Sequence, residues 1–166
     1  MSRSQPASSS LIALSESFSQ VRRQSDELCE PLLVEDYVVQ TMPDVSPPKW
    51  HLAHVSWFYE TFILAPYLKY YWPFNPQFND LFNSYYQGIG KPFPRAQRGL
   101  LSRPSVAEVY SYRAHIDGHI IELIASLDCH RDGLKIRELI LLGLNHEQQH
   151  QELLMTDIKH ILGNNC

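Results

Sequence analysis

The chain lacks a Cys-x-x-Cys pair, a cluster of lysine and arginine, an apolar run of about 18 residues and any convincing stretch of apolar-polar alternation. Each absence removes a class of protein. The three cysteines, Cys29, Cys129 and Cys166, are widely spaced. They indicate neither a disulfide framework nor a thiolate metal site, and they suit a reducing cytoplasm. With a net charge of -4 and no basic patch, binding to nucleic acid or to an anionic membrane is not expected, since both rely on clustered positive charge. The missing apolar run argues against a membrane-spanning helix, and the Ser-rich segment Met1 to Ser10 has no secretory-signal core. The expectation is a soluble, cytoplasmic protein.

What is present describes a packed interior. Apolar residues make up 44% and charged residues 19% of 166 residues, enough for one core. Leu11, Leu14, Phe18, Val21 and Leu28 keep helical spacing behind the capping serines Ser8 to Ser10. They predict a first helix over 11–28, with the ten residues before it disordered. Ser46-Pro47-Pro48 predicts the start of a second helix running to about Leu64, with serine as cap and proline in the first turn. Pro66, Pro73, Pro76, Pro92, Pro94 and Pro104 then interrupt an aromatic-rich stretch, in which only Leu81 to Gln87 reads as locally helical. Ser102 and Pro104 open a third helix to about Leu127. Asp132-Gly133 separates it from a fourth, ending near Leu162 with Gly163 as the stop. The pattern predicts an all-α four-helix bundle over 11–166 with a long, loop-rich connection between helices two and three. Long loops usually carry function, so Pro66 to Arg103 is the candidate substrate-facing segment.

Eight histidines are many for this length. His146 and His150 in Asn145-His146-Glu147-Gln148-Gln149-His150-Gln151-Glu152 stand one turn apart on one helical face, where both can reach one ion. A third imidazole from a facing helix would complete a site with open positions, and helix two offers His51 and His54. We take His54 as the ligand; His51 is left to pack, to bond outside the site, or to join as a fourth ligand. His115 and His119 repeat the same spacing around Asp117-Gly118 and are read as ordinary helix residues, with His130 and His160 at helix ends. His146-Glu147-Gln148-Gln149-His150 also matches the spacing of zinc-protease His-Glu-x-x-His, which would make Glu147 a general base. That reading has only His160 downstream as a third ligand.

Three segments in order, Ser46-Pro47-Pro48-Lys49-Trp50-His51-Leu52-Ala53-His54, Gln97-Arg98-Gly99-Leu100-Leu101-Ser102-Arg103-Pro104 and His146-Glu147-Gln148-Gln149-His150-Gln151-Glu152, resemble the N-terminal domain of the ergothioneine-biosynthesis sulfoxide synthases. That domain is a DinB-like helical bundle. The resemblance spans nearly the whole chain and implies a non-haem Fe(II) on His54, His146 and His150, with Zn or Ni as possible substitutes. It implies that oxygen is used to join a thiol, cysteine or gamma-glutamylcysteine, to N-alpha-trimethylhistidine (hercynine) as a sulfoxide. It further implies that Gln149 contacts the histidine-derived substrate and that Arg95 and Arg98 bind thiol-substrate carboxylates, a task that suits guanidinium geometry. Tyr85 and Tyr86 sit where some family branches carry catalytic tyrosines, with aromatic packing as the alternative. The family continues into a formylglycine-generating-enzyme-like C-terminal domain, and this chain stops at Cys166. The expectation is therefore a truncated product, half of a split enzyme, or a free-standing metal domain, with a separate catalytic domain or a homo-oligomer as partner. A DinB-like metal-dependent thiol transferase and a catalytically inactive metal-binding bundle remain the alternatives.

Overall fold

In the computed structural model, residues 6–84 and 92–163 are described. Their α-helices are α1 Pro6–Cys29, α2 Pro48–Tyr59, α3 Ala65–Tyr67, α4 Phe78–Phe82, α5 Val106–Ser126 and α6 Gly133–Gly163, and they include no strand. The all-α bundle of four long helices is the expected architecture. A π turn, Glu60–Leu64, carries α2 on into α3. No helix among the described residues is long and apolar enough to cross a membrane.

All twelve residues of α2 are buried, including Lys49, His51 and His54. A helix with protein on every side needs no amphipathic stripe, which explains why α2 shows so little periodicity. It packs against both α5 and α6, and α1 packs against the same two. Gly143 brings α6 close to α2, because a Cβ there would fall 2.5 Å from Cε1 of the Tyr59 ring.

Helix boundaries depart from expectation where capping chemistry was misassigned. Helix α5 starts at Val106, because Ser105 and Glu108 form a reciprocal capping box, each side chain meeting the other's backbone amide. Ser102 is left outside the helix. At α2 the cap position is Pro47 with no side-chain cap; Ser46 instead donates its amide to Asp157 and accepts from Arg98. Of the short helix expected over 81–87, residues 85–87 lie outside the described residues; the described helix here is Phe78–Phe82, where the Asn75 side chain accepts from the Gln77 amide and turns the chain into it. Helix α1 begins at Pro6, ahead of Leu11.

The proline-rich connection is a strap tied to α2. The indole of Trp50 donates to the Leu81 carbonyl at 3.2 Å, and that of Trp57 donates to Asn79 at 3.0 Å. Lys49 donates to the carbonyls of Leu101 and Pro104, both at 2.8 Å. Prolines keep the segment irregular, and α2 supplies the donors that fix it.

Candidate metal centre

Helix α2 presents His54 at its middle, and α6 presents His146 and His150 one turn apart. Ring centroids lie 5.1 Å apart for His54 and His146, and 4.7 Å apart for the other two pairs. One ring nitrogen from each of the three lies within 4.8 Å of the others. Three atoms each about 2 Å from a common ion cannot be more than about 4 Å apart, so a small closure of the rings completes a site. The cluster can hold a metal ion, and it is the only such group of three or more among the described residues.

The remaining nitrogens are partly spoken for. His54 donates from Nδ1 to the Phe82 carbonyl at 2.6 Å, which leaves the lone pair at Nε2 to face a ligand. Nδ1 of His150 lies 2.9 Å from Nδ1 of His51, and Nε2 of His51 lies 2.9 Å from the Asp157 carboxylate. Nδ1 of His146 is buried with no hydrogen-bond partner among the described residues. Burial is the main cause that lowers the basicity of all four rings: His146 falls to about 4, His150 far lower with His54 and His51 beside it, and His54 well below 6.5 with His146 adding to the effect. His51 is lowered too, although Asp157 opposes the shift. The rings are thus neutral near pH 7, the form that carries a ligating lone pair.

Aromatic groups wall the cluster. Trp50 stacks on His54 at 4.6 Å and 11°, Trp57 stacks on it at 5.5 Å, and Phe58 packs against His146 at 4.6 Å. Arg98, expected at a substrate carboxylate, is buried, donates to Ser46 at 2.8 Å, and sits 3.2 Å above the Trp50 ring. Arg95 is exposed and donates to the Asp44 carbonyl, and Gln149 is exposed beside His150. Tyr85 and Tyr86 lie outside the described residues.

Residues 17–154 match the family model of the DinB superfamily. The chain belongs to the DinB superfamily. No curated protein is significantly similar in sequence. On this DinB bundle Glu147 takes no part in a zinc-protease arrangement. It is fully buried one residue past His146 and faces α1 and α5. There it accepts from Arg22 at 3.0 Å, Ser25 at 2.7 Å and Arg113 at 3.4 Å. Burial alone would raise its carboxyl, and the two guanidinium groups hold it below 4.5 instead. His115 and His119 lie near Tyr71, away from the three-histidine cluster. Sequence reasoning missed Asp157, although it stands seven residues, or two turns, beyond His150 on the same face.

Proposed function

We propose that this DinB chain binds one divalent cation through His54, His146 and His150 and serves as the iron(II) domain of an oxygen-dependent sulfoxide synthase. The reaction would join cysteine or gamma-glutamylcysteine to N-alpha-trimethylhistidine. The observation that carries the metal reading is the convergence of three neutral imidazoles, with a buried His146 nitrogen that no group among the described residues satisfies. An unsatisfied buried polar atom costs about 1–3 kcal/mol, and a cation or a partner it orders would remove that penalty. The sulfoxide-synthase reading rests on the three sequence segments that carry the family resemblance.

When bound, iron would supply the redox chemistry with oxygen. The chain's own residues would do the rest. Trp50, Trp57 and Phe58 keep water from the ligand rings. Gln149, exposed next to His150, would hydrogen-bond a substrate that approaches α6. Arg95 stands on the strap with its guanidinium accessible to a carboxylate, whereas Arg98 acts behind Trp50 and holds the ring that stacks on His54. Further walls of the substrate pocket would come from a separate catalytic domain or a second copy. Because three imidazoles discriminate weakly among first-row ions, a thiol transferase using Zn or Ni is the second reading.

Elemental analysis of the purified chain, followed by aerobic assay with trimethylhistidine and either thiol, with and without a formylglycine-generating-enzyme-like domain, tests the proposal. A sulfoxide product is expected. Bound metal with transfer to a glutathione- or bacillithiol-type thiol, and no sulfoxide in any pairing, would favour the second reading.

A further inference from the structure

His51 is 3% exposed on α2 and bridges two residues of α6. Its Nε2 is 2.9 Å from Oδ2 of Asp157, and its Nδ1 is 2.9 Å from Nδ1 of His150. The same Asp157 oxygen also accepts the Ser46 amide at 2.9 Å. A backbone amide can only donate, and an ionised carboxylate can only accept. The direction of every hydrogen along the chain follows. Asp157 takes the Nε2 hydrogen of His51; neutral His51 then offers only a lone pair at Nδ1; His150 must therefore donate from Nδ1. The one lone pair left on His150 is at Nε2.

We propose that Asp157 and His51 are positioning residues that set the tautomer and ring orientation of His150, so that its Nε2 faces the cation. This rests on the reading that the three histidines bind a metal. It also gives His51 a role other than a fourth ligand, because both of its nitrogens are taken up by hydrogen bonds, one to His150 and one to Asp157. The three ligands are held in three ways. His54 is fixed by a backbone carbonyl and His150 by a histidine backed by a carboxylate. His146 has no partner at Nδ1 among the described residues. A ligand's outer hydrogen bond commonly fixes its tautomer and raises its basicity, and losing such a bond typically weakens metal binding by about ten- to a hundredfold.

The test uses the full chain and two readouts. In the metal-free protein, two-bond nitrogen-proton NMR correlations report which nitrogen of His150 carries hydrogen. Wild type is expected to show the Nδ1-H form, and both His51→Leu and Asp157→Leu to lose it in part or whole. His51→Gln, whose carboxamide can accept from His150 and donate to Asp157, is expected to keep it. Zn(II) affinity, measured by competition with a chromogenic chelator, should fall about ten- to a hundredfold in the two leucine variants and recover in His51→Gln. A wild-type His150 in the Nε2-H form overturns the proposal even if no leucine variant folds. So does a His51→Gln chain as impaired as His51→Leu, which would mean that ring packing alone matters. If wild type binds no metal yet shows the Nδ1-H form that His51→Leu loses, the relay stands and the metal reading fails.

Discussion

Two pairs of residues on α6, offset by one position, meet opposite fates. His146 and His150 turn toward α2 and gather with His54, whereas Glu147 and Gln151 turn toward α1. The two α6 side chains that face α1 are answered by the protein itself. Glu147 is shared by Arg22, Arg113 and Ser25, and Gln151 donates to the Val21 carbonyl and to Ser25. Arg22 extends the network to Asp117 at 2.6 Å and to Ser56 at 3.0 Å, and Arg113 extends it to Asp26 at 3.0 Å. On the α2 side three neutral imidazoles face one another, and one of their nitrogens goes unanswered among the described residues. A buried network that is complete within the chain holds helices together; one that is incomplete marks a place for something else.

The contrast breaks most sharply under ligand substitution. His54→Ala, His146→Ala and His150→Ala should each take metal content from one equivalent to none by elemental analysis, while circular dichroism keeps its helical signal. Glu147→Ala should do the reverse and keep metal stoichiometry. It would leave Arg22 and Arg113 without their shared buried anion, costing about 3–5 kcal/mol in urea unfolding. Adding Arg22→Met should cost less than the sum of the two single changes, because the pair acts as a unit.

Acid should separate the two sides by pH. Each buried imidazole binds protons less readily folded than unfolded, so its contribution to stability is full above the ordinary value of 6.5. For His146 that contribution is lost as pH falls from 6.5 toward about 4. Glu147, held below 4.5, contributes above that value and fails only in stronger acid. Unfolding of the metal-free chain as a function of pH should therefore show an upper slope that His146→Gln flattens and Glu147→Gln leaves in place. Smallest of all, His115→Ala and His119→Ala should leave metal content unchanged, since their equal spacing meets no third imidazole.

The bundle was legible because α1, α5 and α6 carry periodic apolar residues and punctuation at Asp132-Gly133. The histidine cluster was legible because an i, i+4 pair shares a face by helix geometry and a facing helix held only two further candidates. What stayed hidden depended on contacts distant in sequence. Glu147 beside His146 reads as a catalytic base until Arg22, 125 residues earlier, and Arg113 are seen to enclose it. Ser46 reads as a cap until Asp157 and Arg98 are seen to claim it. Ser105-Val106-Ala107-Glu108 was a local signal and was missed, because Pro104 drew the helix start forward.

Burial of α2 on every side also dictates how an ion would arrive. His54 is 1% exposed, whereas His146 and His150 on α6 are each partly open to solvent. A cation bound as proposed would meet the more open α6 pair before His54, the most buried of the three. Substitutions that loosen α2 around His54 would then be expected to act on release of the ion more than on its capture.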